Sequence, residues 1–184
     1  LLELGYIFCL LGYGTKAGIF PLHTWLPDAH SEAPAPASAM LSGALLNCAL
    51  FCIWRVTELV RLTEHHAICE SVPVFWGALT ALAAALFLVH QNGIKRLWAY
   101  SSIENVGIML VAIGLGSPLL FFLQALNHSV AKVALFLLSG NIIQVYKTKD
   151  ISEIRGLLKV SPTCGILFAI CAAAVTGMPP FGAF

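Results

Sequence analysis

Residues 12–30 read GYGTKAGIFPLHTWLPDAH. An apolar run ends here in three glycines, a lysine and two prolines. A helix broken at Gly18 and Pro21 frees backbone amides and carbonyls, because proline has no N–H and glycine favours non-helical angles. Such breaks survive at membrane depth only where protein or a water-filled cavity satisfies the freed groups. Discontinuous helices of this kind mark ion sites in transporters. The stretch therefore predicts a broken membrane helix with Lys16 at the break, placed to stay hydrated and change its protonation with small movements.

The remainder of the 184-residue chain supplies the membrane context. It is 59% apolar and only 10% charged, against about 25% charged in an ordinary globular chain. Residues 72–89 and 163–184 carry no charge, and 23 uncharged residues separate Glu104 from His128. A span needs about 20 predominantly apolar residues. The fold class is therefore all-α: a polytopic transmembrane helix bundle with discontinuous helices. Six spans are expected: residues 1–20, continuing brokenly through Pro34; 36–57; 72–91; 94–115; 118–146; and one from Pro162, interrupted again at GMPPFG (177–182). The chain opens and closes inside apolar segments without an initial Met, and is read as an internal fragment of a longer protein.

The fifth span, 29 residues, would measure about 43 Å as a helix, longer than a hydrocarbon core of about 30 Å. A local break or π-type distortion near Lys132 is expected. Lys95, Arg96, Lys147, Lys149, Arg155 and Lys159 fall on one side of the membrane, and only Arg55 and Arg61 on the other. The positive-inside rule makes the richer side cytoplasmic. The linker TKDISEIRGLLKVSP (148–162) reads as a short amphipathic helix with Ile151, Ile154, Leu157 and Leu158 on one face.

Ionisable residues at membrane depth are costly and mark function. Lys16, Glu104, His128 and Lys132 are the candidates, with Asn47 as a polar companion. Glu104 and His128 each lie about 15 Å along their helices and Asn47 about 16 Å, so separate helices present polar groups near one level. His128 and Lys132 are four apart and share a helix face. The set suggests a hydrated path parallel to the membrane plane. The plainer alternatives are a His128 hydrogen-bonded to a neighbouring helix, a Lys132 that snorkels to an interface, and a structural ion pair at Glu104. His23, Asp28, His30 and Glu32 are read as capping and loop hydrogen-bonding groups, and His65 and His66 as solvated. The six cysteines form no C-x-x-C pair and read as packing residues. No phosphate loop, Fe–S pattern, catalytic triad or metal site is apparent, so no cofactor is assigned. The net charge of +1 points to no nucleic-acid partner.

The motifs KAGIFPLHTWLPDAHSEAPAPASAMLSGALLN, GIKRLWAYSSIENVGIM, LNHSVAKVALFLLSGNI and GMPPFG, in that order, resemble the antiporter-like membrane subunits of respiratory complex I, Mrp sodium/proton antiporters and group 4 hydrogenases. SSIENVGIM, LNHSVAKVALFLLSGNI and TKDISEIRGLL together are most similar to the hydrogenase-4 component F type. The resemblance implies about fourteen spans with two inverted five-helix repeats, of which this chain would hold spans seven to twelve. It implies a non-catalytic, proton-translocating subunit of an oxidoreductase complex, in a bacterial or archaeal plasma membrane, with membrane and peripheral partner subunits and lipid around it. Sodium/proton antiport and a non-conducting scaffold are the alternatives. Lys16 matches the lysine of the broken seventh helix, whose protonation changes with an acidic partner on the fifth. His128 and Lys132 match polar positions of the eleventh helix. Asn47 stands where complex I-type subunits commonly carry a Lys or His. Asn can orient water but cannot titrate, which weakens the case for full pumping.

Overall fold

The computed structural model describes residues 2–63, 66–179 and 181. Among them the chain is helical, with no strand beyond one isolated bridge. The elements are α1 (Leu2–Ala17), α2 (Trp25–Glu32), α3 (Ala35–Met40), a π-turn (Leu41–Leu45), α4 (Leu46–Arg61), α5 (His66–Leu88), α6 (Ile94–Gly114), α7 (Pro118–Tyr146), a 3₁₀ turn (Ile151–Glu153), α8 (Leu157–Val160) and α9 (Pro162–Val175). Four helical stretches are long and apolar enough to cross a membrane: Ala35–Arg61, Ala67–Leu88, Ile94–Gly114 and Pro118–Tyr146. The first and sixth expected spans are shorter helices of 16 and 14 residues. Part of the second break, at residues 180 and 182, lies outside the described residues, as does His65.

The first break forms where glycine and proline place it. Gly18 takes a φ of +81°, the Phe20–Pro21 peptide is cis, and α2 resumes at Trp25. Protein groups satisfy the freed backbone. The amides of Gly18 and Ile19 both donate to the Gly14 carbonyl at 2.9 Å. The Phe20 amide donates to Thr80 Oγ1 at 3.2 Å, and Trp25 Nε1 donates to the Thr15 carbonyl at 2.8 Å. The break is thus braced by α5 and by its own continuation.

α6 is the centre of the bundle. It buries Ile103, Val106, Met109, Leu110 and Ile113 against α4, α5 and the break. Close approach of α5 and α6 depends on small residues. A Cβ on Gly77 would lie 2.6 Å from the Gly107 carbonyl oxygen, and one on Gly107 the same distance from that of Gly77. Without a hydrophobic drive between helices in lipid, such backbone-to-backbone packing holds a membrane bundle together.

Two expectations are corrected. α7 runs unbroken over all 29 residues, because the side chain of Lys132 finds its partner on α6 and the α7 backbone need not open. The π-turn falls instead at Leu41–Leu45, where Gly43 meets α7 so closely that any Cβ would collide with Val133. The linker is not one amphipathic helix. Gly156 takes a φ of +68° and splits it; Ile154 and Leu157 pack on the α7–α9 core while Ile151 and Leu158 stay exposed.

The charged end of the bundle is clamped. Ile94 N donates to Lys149 O at 3.0 Å and Ile151 N to Asn92 O at 2.9 Å. Lys95 Nζ donates to Ala33 O at 2.8 Å. Arg96 pairs with Asp28 at 3.2 Å and Lys149 with Glu32 at 3.3 Å. Loops following α2, α5 and α7 therefore meet at one end, as the count of basic residues requires. At the other end Arg61 caps α6 through the Ile113 and Gly114 carbonyls, at 3.0 and 3.1 Å.

Candidate functional site

Lys132 is completely buried. Its position at the middle of α7 and its contact with α6 exclude snorkelling. Nζ donates to the Trp98 carbonyl at 3.0 Å and sits 5.2 Å from the Trp98 ring centroid, a cation–π distance. That carbonyl also accepts Ser102 Oγ at 2.9 Å. Ser102 Oγ lies 2.9 Å from Ser42 Oγ, in the π-turn, and Ser42 Oγ lies 3.5 Å from His128 Nε2. Three helices thus close a buried polar seam: His128, Ser42, Ser102, the Trp98 carbonyl and Lys132. His128 is hydrogen-bonded to a neighbouring helix, as the plainer alternative held, but its Nδ1 is buried with no protein partner.

Glu104 makes no direct ion pair among the described residues. It is half-buried on the wall of a cavity of about 400 Å³ between α6, α7 and α9, shared with Trp98, Ser101, Asn105, Gln124 and Thr176. Gln124 Nε2 donates to Asn105 Oδ1 at 2.7 Å, and Asn105 Nδ2 to the Ser101 carbonyl at 2.8 Å. Trp98, whose carbonyl holds Lys132, lines the same cavity, so the space beside Glu104 borders the residue that holds the lysine and is wide enough for water.

The remaining candidates lie apart. Asn47 Nδ2 donates to Ser129 Oγ at 2.6 Å and to the Gly43 and Ala125 carbonyls at 3.2 and 3.3 Å. It fixes α7 to the π-turn beside the seam and faces an apolar groove with Phe51, Phe122 and Ser129. Lys16, in the last turn of α1, is exposed.

Sequence reasoning misread His30. It is no loop group: it is fully buried, stacked on Phe136 with centroids 4.5 Å apart, and neither ring nitrogen has a protein partner. His23 likewise sits buried among Phe20, Phe87 and Tyr100. The signal for His30 was present: it follows buried Leu26 by four residues, while Asp28 and Glu32 take the exposed face. Ser42 and Ser102 carried no such signal. All six cysteines are free, and no metal-ligating cluster occurs among the described residues.

A family model described as NADH:quinone oxidoreductase/Mrp antiporter, transmembrane, matches residues 1–184. The chain belongs to that family. Among its relatives, the hydrogenase-4 component F homolog of Methylacidiphilum infernorum is 43% identical over all of this chain and 39% of the relative. Hydrogenase-4 component B of Escherichia coli is 35% identical over 97% of this chain and 29% of its own length. The chain thus spans well under half of the curated relatives it matches. Of solved structures, an archaeal respiratory membrane complex, the membrane-bound sulfane sulfur reductase, superposes with a TM-score of 0.90 at 27% identity, over 99% of this chain and 38% of that one. The Mrp complex of a Dietzia species gives 0.81 at 24% identity over 97% of this chain, a likeness of fold. The antiporter-like bundle anticipated from the motifs is therefore the fold of this integral membrane protein, and its relatives are subunits of multisubunit assemblies.

Proposed function

We propose that the chain is part of a proton-translocating subunit of a hydrogenase- or complex I-like membrane assembly in a prokaryotic plasma membrane, holding spans seven to twelve of about fourteen. The observation that carries this is Lys132: an ionisable amine buried at mid-helix, held by a carbonyl and an indole face, with no carboxylate in contact among the described residues and Glu104 on the cavity that Trp98 lines. Purely structural buried lysines are paired, since an uncompensated buried charge costs several kcal/mol. Here His128, the two serines and Lys132 form one arm of the path and the cavity to Glu104 the other. Protons move along it as Lys132 alternates between neutral amine and ammonium, water bridging the gap to Glu104.

Lys16 stands at the broken helix, exposed on α1, and we assign it the pairing with an acid supplied outside the described residues. Asn47 orients Ser129 and α7 beside the path without titrating. Energy reaches the chain from partner subunits through helix contacts and charge.

The test is proton translocation by the full-length chain in its assembly, in sealed vesicles. Lys16→Ala and Lys132→Met are expected to suppress it while electron transfer to an artificial acceptor in the peripheral subunits continues. Pumping at the unaltered rate in both variants refutes the assignment. Dependence of the flux on sodium rather than on pH identifies the antiport alternative.

A further inference from the structure

We propose that the gap between α3 and α7 at the basic end of the bundle is a binding site for an anionic phospholipid, an inference that stands without the proton path. The gap is a cavity of about 540 Å³, bordered also by α6 and by the α2–α3 junction. Lys95 is the charged group on its wall, and among the described residues no carboxylate lines it. Half-buried Lys95 reaches across to the Ala33 carbonyl at 2.8 Å, and its ammonium keeps two further N–H groups to donate. It pairs with no acid among the described residues, since Arg96 holds Asp28 and Lys149 holds Glu32.

The α7 wall changes character along its length. Leu137, Asn141 and Gln144 stand at i, i+4 and i+7, one stripe of the helix, apolar toward the membrane and polar toward the basic end. Asn141 and Gln144 are exposed, and neither amide has a protein partner among the described residues. Deeper on the same face Val130 and Leu126 are exposed as well. From Leu126 to Leu137 the helix covers about 16 Å, close to one leaflet of a hydrocarbon core of about 30 Å. At Gly140 α7 comes so near α3 that a Cβ would collide with that of Ala35, so packed helices hold the two walls together.

A ligand for this site needs a negative group with several acceptor oxygens, no cation beside it, and an apolar tail about one leaflet long. An anionic diacyl phospholipid has those parts in that order. Its phosphodiester oxygens accept from Lys95 and the two amides, and one acyl chain lies along Leu137, Val130 and Leu126. A headgroup with its own cation would place that cation beside Lys95, with no acid on the wall to receive it. Basic pockets between membrane helices on the positive side of the membrane are where anionic headgroups collect. The bound lipid ties α3, α6 and α7 together at the level where the bundle leaves the membrane.

The probes are photoactivatable phosphatidylglycerol and phosphatidylcholine, each with a diazirine in one acyl chain. They are offered at equal low fractions in nanodiscs carrying the full-length chain in its assembly, and crosslinked α7 peptides are mapped by mass spectrometry. On residues 126–137 the phosphatidylglycerol yield is expected to be about fivefold that of phosphatidylcholine, the scale of one basic residue at an anionic surface. Lys95→Gln should lower it to the phosphatidylcholine level. Equal yields from the two probes in the unaltered protein, or no crosslink to this stripe from either, overturn the proposal. So does an unchanged phosphatidylglycerol yield in Lys95→Gln. Inorganic phosphate that displaces the phosphatidylglycerol probe, where chloride at the same ionic strength does not, assigns the site to a free anion and overturns the lipid. Should Lys95→Gln fail to assemble, Asn141→Leu combined with Gln144→Leu decides, because both positions are exposed. The phosphatidylglycerol yield should then fall about tenfold, the scale of a lost hydrogen bond to a charged group. An unchanged yield in that variant overturns the site as well.

Discussion

Replacing Lys132 with methionine should make the protein more stable while disabling it. Lysine and methionine are both unbranched and of similar length, so the substitution neither opens a large cavity nor overpacks α7. What it removes is an amine with no exposed surface, whose desolvation costs several kcal/mol when charged and is not offset by a carboxylate in contact. What it loses is one hydrogen bond to the Trp98 carbonyl, about 1.5–3 kcal/mol for a charged donor. That carbonyl is not orphaned, because Ser102 still donates to it at 2.9 Å. The thioether meets the Trp98 ring instead, a contact of about 0.3–1.5 kcal/mol. The net expectation is a gain of about 1–4 kcal/mol, the range seen when buried ionic groups give way to apolar ones. Reversible unfolding of the full-length protein in mixed micelles, wild type against variant, measures it. A loss of more than about 1 kcal/mol, beyond the neutral outcome this range permits, would show that Lys132 anchors the bundle, and the case for it as a mobile charge would fail.

Other substitutions separate packing from conduction. Gly107→Ala drives a methyl into the Gly77 carbonyl and the Ala81 amide, 2.6 and 2.7 Å from the new Cβ. It should cost at least about 1–3 kcal/mol, read as a lower melting temperature of the purified protein. Arg61→Met uncaps α6 at Ile113 and Gly114. It should cost about 2 kcal/mol by the same assay and leave proton flux per folded molecule unchanged. Ser42→Ala cuts the link between His128 and Ser102. Stability should fall by about 1–3 kcal/mol, because buried His128 Nε2 loses its protein partner, while vesicle proton flux per folded molecule falls.

Much of the fold was legible because membrane helices announce themselves by length. The extents of α6 and α7 differ from their expected spans by a residue at most, since Gly93 precedes one and Ser117–Pro118 opens the other. The broken helix was legible from Gly18 and Pro21. The site was legible only in its costly members: an intramembrane His or Lys is rare enough to be conspicuous. Its connections were not. Ser42 and Ser102 are ordinary small residues whose meaning arises when a π-turn on one helix meets another, and periodicity within a single helix carries no information about that meeting. The distortion was looked for on α7 because α7 is too long, whereas the close approach of Gly43 to Val133 put it on the partner. His30 was mistaken because the prolines around it suggested loop, and a loop histidine needs no explanation.

The π-turn at Leu41–Leu45 divides its helix into two independently indexed segments. One surplus residue uncouples the face that α3 turns to α7 from the face that α4 turns to α1. Deleting one residue there would return the turn to ordinary helix with the flanking segments facing as before, because the bulge absorbs the surplus residue. The backbone would shift at Ser42 itself, inside the turn, and draw its hydroxyl off His128 while α1 and α4 kept their mutual fit. Changes on the α1 side can therefore accumulate without dialling the serine out of alignment, and the helix works as a vernier, set once at a five-residue stop.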